Sequence, residues 1–225
     1  MFQIAIDGPS GAGKSTVAKS LAKSLGIVYV DTGALYRAVG YYVKCRSADP
    51  KNAAEVTALL PEISVTIRYE GGTQHVLLNG EDLGDRIRKP EISMYASAVS
   101  AIPAVRTFLL DTQRNIAKEN SVVMDGRDIG TVILPNADVK IFLSASPEAR
   151  ARRRYEELKE KGIRTSVEEV LSDMAARDKA DKERKVAPAV AAPDAICVDN
   201  SDMDAEQTRA CIEKIVREKV PGLTV

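Results

Sequence analysis

A three-layer α/β fold is the architecture this sequence predicts, with a central parallel sheet of five strands, an inserted antiparallel β module and a basic helical hairpin. Three observations predict it. Short apolar runs alternate with amphipathic helical stretches along the 225 residues, the pattern of βα units whose strands pair in parallel. The first of these units carries a glycine-rich turn between strand and helix. Between residues 63 and 85 the hydrophobic period switches to alternation broken by Gly71-Gly72 and Asn79-Gly80, the mark of a small antiparallel sheet.

Phe2, Ile4 and Ile6, with Ala5 between them, read as a buried strand that stops at Gly8. Gly8, Gly13, Lys14 and Ser15 fit G-x-x-x-x-G-K-[ST], and Val17, Ala18, Leu21, Ala22 and Leu25 follow at helical spacing. Strand, loop and helix in that order are the setting a phosphate-binding loop needs. Glycines let backbone N–H groups turn inward, the helix N-terminus adds positive potential, and Lys14 supplies a cation. Lys14 is expected to face solvent at the mouth of the loop. A chance glycine-rich turn would lack the complete motif and both flanks.

Ile27 to Val30 reads as the second buried strand, and Ala34, Leu35, Ala38, Val39 and Tyr42 as the next helix, with Thr32 placed to cap it. Arg37 lies near the start of that helix, where a cation opposes the dipole unless an anion is close. Residues 47 to 60 read as a connector with one short helix. The inserted strands are expected near 63–69, 74–79 and 81–85. His75, the lone histidine, has no Cys or second His beside it and reads as a surface strand residue.

Pro90 to Glu119 returns to helix, divided by Pro103, with Val105, Leu109, Thr112 and Ile116 as an apolar stripe. Val122 to Met124 is the next strand and runs into Asp125-Gly126-Arg127-Asp128. That is the position where open parallel sheets place their ligand crevice, and an arginine between two aspartates is poor chemistry for a plain turn. After the strand Val139 to Leu143, Ser146 and Pro147 open a helix carrying Arg150, Arg152, Arg153 and Arg154. Arg150, Arg153 and Arg154 share a face, and Arg152 points elsewhere. Either an anion neutralises this cluster or it is a solvated face paired with Glu156 and Glu157. Ser166 and Glu169 form a capping box for a helix to about Glu183. On it Arg177, Asp181 and Arg184 fall in one stripe, either a salt-bridge ladder or a grip on a polyhydroxylated anion. A linker from Val186 to Pro193, a last strand (Ala195 to Val198) and a closing helix (Asp204 to Lys219) complete the chain.

The composition narrows the classes of function. A hydrophobic content of 44% provides ample core, and a net charge of +0 with a pI near 6.6 gives no global basic field for nucleic acid or a membrane surface. Cys45, Cys197 and Cys211 have no C-x-x-C spacing and suit reduced thiols. No apolar run reaches membrane-spanning length, and Met1 leads directly into the first strand. A soluble, cytoplasmic monomer with no nucleic acid or membrane partner is expected.

Four blocks in order now support a resemblance: Gly8 to Thr16, Asp31-Thr-Gly-Ala-Leu-Tyr-Arg37, Asp125-Gly-Arg-Asp-Ile-Gly-Thr131, and Arg177 to Arg184 with Val186-Ala-Pro. Together, and with the insert at 63–88, the sequence resembles the bacterial cytidylate kinases over essentially its whole length. The resemblance implies a P-loop core domain of residues 1–45, 91–150 and 186–225, a nucleoside monophosphate-binding module of residues 46–90, and a lid with its associated helix at 151–185. It implies transfer of the γ-phosphoryl group of ATP to CMP or dCMP with Mg²⁺. Gly8, Pro9, Ser10, Gly11, Ala12, Gly13, Lys14, Ser15 and Thr16 would hold the ATP phosphates. Arg37 and Arg127 would hold the acceptor phosphate, and Ser97, Arg106 and Asp128 the cytosine. Arg177 and Asp181 would contact the sugar, and Arg184 the base or sugar. Arg150, Arg153 and Arg154 resemble the lid, with Arg150 toward ATP and Arg153 and Arg154 toward the migrating group beside Lys14 and Arg127.

Two departures are visible. Thr32 stands where many relatives have Ser, which keeps a substrate-facing hydroxyl, and Ser15 stands where many have Gly, which offers Mg²⁺ a hydroxyl ligand. Asp128 could instead brace Arg127. The alternatives are a related kinase acting on uridylate, thymidylate or shikimate, and a GTP-binding switch. The switch expects an Asn-Lys-x-Asp motif, yet no Asn here precedes Lys.

Overall fold

The computed structural model describes residues 1–220, and two compact units divide them. One comprises Met1–Tyr29 together with the chain from Ser121 onward, and the other Val30–Asn120. A five-stranded sheet is built from β1 (Gln3–Asp7), β2 (Val28–Asp31), β6 (Val122–Asp125), β7 (Val139–Ser144) and β8 (Ile196–Asp199), in the order β2-β6-β1-β7-β8. Ile4 pairs with Val123 on one side and Val139 on the other, both in parallel register. The chain therefore leaves β1 toward one edge, returns beside it as β6, and then continues to the other edge. At such a reversal the strand ends splay and open a crevice for ligands. The ends concerned are Asp7 and Asp125.

In the first unit, α1 (Lys14–Leu25) and α8 (Ala205–Lys219) cover the sheet. Val17, Leu21, Leu25, Ile212 and Val216 pack on Ile4, Ile6, Val123, Ile141 and Leu143, so the helical spacing read from α1 is its buried face. α6 (Pro147–Glu160) and α7 (Val167–Glu183) form a helical pair around Ala151, Val170 and Met174. Ser146 caps α6 by accepting from Ala149 N, and the Ser166–Glu169 capping box opens α7.

In the second unit, α2 (Thr32–Cys45), α4 (Pro90–Val99) and α5 (Pro103–Glu119) pack with α3 (Ala53–Leu59) and the small sheet. That sheet pairs β3 (Val65–Glu70), β4 (Thr73–Leu78) and β5 (Glu81–Asp82) antiparallel. Asn79 and Gly80 both take positive φ, as the expected Asn-Gly hairpin requires. β5 ends after two residues and gives way to a 3₁₀ turn, Gly84–Arg88. His75 lies on β4, partly exposed, with Nδ1 2.7 Å from Asp82.

Two sequence expectations are corrected. The cap of α2 is Asp31, which accepts from Ala34 N, and Thr32 is already helical and 3% exposed. The carboxylate reaches the N3 amide one residue earlier than the hydroxyl would. On α5 the buried line runs Val105, Leu109, Gln113, Ala117, with Thr112 and Ile116 on its flank. The stem of Gln113 follows the apolar line and its amide donates to Leu109 O. Cys45 and Cys197 are exposed and Cys211 is half-buried.

Gly8 has φ of 147°, and a Cβ there would overlap the carbonyl of Leu143 on the adjacent strand β7. Both backbone strain and a fixed neighbour oppose any side chain. Gly8→Ala should therefore lower stability by on the order of 3 kcal/mol. Urea titration of the two proteins checks this, and a loss under about 1 kcal/mol would show that the junction yields.

Candidate active site

At the end of β1 the chain turns through Gly8–Gly13 into the N-terminus of α1. Lys14 begins the helix, but it is 5% exposed, and Nζ donates to Pro9 O at 2.6 Å. The expectation of a solvent-facing lysine is corrected: the side chain folds back under the loop. Burial, and then the charge of Arg127, hold its pKa well below the usual lysine value, while Asp125 and Asp7 oppose the shift.

Two aspartates close the strands here: Asp125 belongs to the block the sequence placed at the ligand crevice, though with no role of its own, and Asp7 was not singled out. Asp125, closing β6, accepts from Ser15 Oγ at 2.7 Å and from Tyr29 OH at 2.9 Å. A serine hydroxyl beside a carboxylate is a hard oxygen donor set of the kind Mg²⁺ uses together with substrate phosphates. Asp7, closing β1, accepts from Ile129 N and Gly130 N, each at 2.8 Å. Burial outweighs these two bonds and pushes its carboxyl up to about 6. The sequence signal for both is an acid at the end of an apolar strand.

The two sequence blocks around Arg127 and Arg177–Arg184 meet in the first unit. Arg127 Nε donates to Asp181 Oδ2 at 3.0 Å. Arg184 lies 3.6 Å from Asp128 and 3.7 Å from Asp181, and donates from Nε to Ala187 O at 2.5 Å. Asp128 and Asp181 are 4% and 6% exposed. Asp181 thus braces Arg127, and Asp128 pairs with Arg184. Arg177, half-buried on α7, adds its positive field at Lys14. A pocket of about 360 Å³ opens beside Pro9, Arg127, Asp178 and Asp181.

The arginines of α6 have separate environments. Arg150 is buried, donating to Ala145 O, to Ser10 O in the loop, and to Asp178 at 2.5 Å. Asp178 also accepts from Ser10 N at 3.2 Å, so it is a further loop contact that the sequence reading missed. Arg153 donates to Asn200 Oδ1 and to the carbonyls of Asn200 and Met203. Arg154 pairs with Glu157 at 2.7 Å, and Arg152 is exposed.

In the second unit, Arg37 forms a 2.7 Å ion pair with Asp31, while its buried Nε has no hydrogen-bond partner. Asp31 is itself held through its backbone. Gln74 on β4 accepts from Asp31 N at 2.8 Å and donates to Asp31 O at 3.1 Å. Arg106 is 8% exposed, donates to Ser100 O and lies 5.5 Å from the centre of the Tyr36 ring. Ser97 is half-buried one helix earlier, and its carbonyl accepts from Ser100 Oγ.

Comparison with known proteins adds to this geometry. The family model described as cytidylate kinase matches residues 4–219. A cytidylate kinase from Thermosipho melanesiensis is 50% identical over 217 residues, covering 96% of this chain and 97% of that protein. One from Fervidobacterium nodosum is 50% identical with the same coverage. Among solved structures, an uncharacterized protein from Eubacterium ventriosum superposes with a TM-score of 0.51 at 16% identity, covering 96% and 98% of the two chains. This last likeness concerns the fold alone.

Lys14 is a buried cation whose charge the fold disfavours, so removing it should spare the fold and remove function. Lys14→Met should melt at or above the parent temperature while the turnover of nucleotide falls by more than about a hundredfold. Calorimetry and ADP release check the two halves, and activity within about threefold of the parent would refute the role.

Proposed function

The chain belongs to the cytidylate kinase family and transfers the γ-phosphoryl group of ATP to CMP or dCMP, and from that premise we propose which residues carry the reaction. The observation that carries this reading is the loop Gly8–Gly13 set between β1 and α1, in a chain that matches the family from residue 4 to 219. The backbone of residues Gly8 to Thr16 and the start of α1 hold the ATP phosphates. An anionic phosphate beside Lys14 opposes the two effects that depress its ammonium, so binding and charging of this lysine support each other. Ser15 and Asp125 would hold Mg²⁺, which supplies neutralisation of phosphate charge when bound.

Phosphoryl transfer asks for alignment and charge stabilisation more than for covalent chemistry. The acceptor phosphate of CMP carries its second ionisation near pH 6, so its attacking oxygen is already deprotonated at neutral pH and needs no strong base. Arg127, oriented by Asp181, and Arg37, oriented by Asp31, are the arginines assigned to that phosphate. Arg177, Asp181 and Arg184 take the sugar side, and Thr32 offers a hydroxyl. Asp128 accepts from the cytosine amino group, with Ser97 and Arg106 completing the pattern.

Residues 151–185 act as the lid and 46–90 as the monophosphate-binding module, within the core of 1–45, 91–150 and 186–225. Arg153 and Arg154 come to the migrating group late, and closure excludes water that would otherwise hydrolyse ATP. Arg150 acts on ATP through Ser10. The protein works as a cytoplasmic monomer on small nucleotides, with no nucleic acid or membrane partner. Among the described residues no single helix is long and apolar enough to cross a membrane.

ADP release with ATP and a panel of monophosphates tests the reaction, and no acceptor-dependent ADP would overturn it. Base choice gives a sharper check. Cytosine presents a donor at N4 where uracil presents an acceptor. Asp128→Ala should cut kcat/KM for CMP while sparing UMP, lowering the ratio by about tenfold or more. Equal losses for both would leave Asp128 with an ion-pair role only.

The lid has its own signature. Arg153→Ala or Arg154→Ala should lower kcat by about tenfold or more with little change in KM for CMP, and Arg152→Ala should be nearly silent. Similar effects at all three positions would favour general electrostatics.

A further inference from the structure

We propose that Asp7 is a positioning residue for base selection: by gripping two consecutive backbone amides it leaves Asp128 able to direct its carboxylate toward the base. The inference rests on the reading of Asp128 as the cytosine acceptor.

Asp7 is the last residue of β1 and is 4% exposed. One carboxylate oxygen accepts from Ile129 N and the other from Gly130 N, both at 2.8 Å. These are the first two amides of a wide helical turn, Ile129–Ile133, for which Asp128 is the N-cap residue. An aspartate at that position ordinarily bends back and satisfies the turn's own amides. Here Asp128 makes no capping bond. Its Oδ1 instead lies 3.6 Å from the guanidinium of Arg184. The capping work has passed to a residue 122 positions away, on the neighbouring strand.

The fit around these bonds is close. A Cβ on Gly130 would sit 3.1 Å from the Lys140 side chain and 3.4 Å from Asp7 Oδ2, so the turn lies tight against the carboxylate. Lys140 directs its own ammonium away, to Asp194 at 2.8 Å. The charged groups acting on Asp7 are Asp128 and Lys14. The carboxylate thus ties the strand that leads into the phosphate loop to the turn that carries the base contact.

Asp7→Asn keeps the shape but points an NH₂ group at one of the two amides. One bond becomes a donor–donor clash, the turn is left with an unsatisfied N–H, and Asp128, at the N-cap position, is placed by chain geometry to turn back and cover it. A carboxylate drawn back as a cap no longer serves cytosine. Any effect of the substitution on Lys14 reaches CMP and UMP alike and cancels in their ratio.

The experiment measures kcat/KM for CMP and UMP in the parent, Asp7→Asn, Asp128→Ala and the double variant. The expected result is a fall in the CMP to UMP ratio of about tenfold or more in Asp7→Asn, with KM for ATP within about threefold, and no further fall when both changes are combined. A collapsed ratio in Asp128→Ala with an unchanged ratio in Asp7→Asn would overturn this inference while leaving the Asp128 reading intact. An unchanged ratio in Asp128→Ala would overturn the reading itself and the inference with it. If Asp7→Asn does not fold, amide hydrogen exchange in the parent decides: slow exchange at both Ile129 and Gly130 supports the grip, and exchange as fast as in exposed loops overturns it.

Discussion

Concentrating positive charge at one end of a buried sheet is the constraint on which this structure depends. Lys14, Arg127, Arg150, Arg177 and Arg184 all belong to the first unit, where Arg127, Arg150 and Arg184 make direct ion pairs. Without counter-charges such a group would repel itself and lose hydration. The fold answers with aspartates placed at strand ends and on α7. Asp181 holds Arg127, Asp178 holds Arg150, and Asp128 lies by Arg184. The pairs keep each guanidinium in one orientation. They also mean that an incoming phosphate competes with a carboxylate already in position, which weakens binding of anions that cannot also satisfy the displaced acid.

The second unit solves the same problem on a smaller scale. Asp31 caps α2 with one oxygen and pairs with Arg37 through the other. A side chain that already serves the helix end thereby fixes the cation. Gln74 then secures the backbone of Asp31 from the inserted sheet, so the small sheet has a direct mechanical link to the arginine assigned to the acceptor phosphate.

Much of this was legible in the sequence, because the signals were local. Strands such as Val122 to Met124 announced themselves by unbroken apolar runs, Ser146-Pro147 and Ser166 with Glu169 marked helix starts, and Asn79-Gly80 marked a hairpin. Thr32 and Thr112 went astray by a residue for want of three-dimensional context: a neighbouring aspartate out-competed the hydroxyl, and the buried line of α5 continued through a glutamine. The blocks at Arg127 and at Arg177–Arg184 were each visible, but their meeting was not. Arg127 and Asp181 are 54 residues apart, and no local pattern records which acid a distant arginine will choose. The burial of Lys14 escaped for a similar reason, since the motif names the residue and leaves the path of its side chain open. Asp7 looked like an ordinary strand end, and Asp125 like one acid of a crevice block without a stated task, until the amide and hydroxyl donors around them were in view.

The cysteines carry a consequence of a different kind. Exposed Cys45 lies in one compact unit and exposed Cys197 in the other, while half-buried Cys211 lies on α8. Once Cys211 is replaced by serine, the native chain holds one accessible thiol per unit. A donor and acceptor dye pair attached there would report the separation of the units in solution, molecule by molecule, with and without nucleotide. The protein therefore comes with its own spectroscopic ruler.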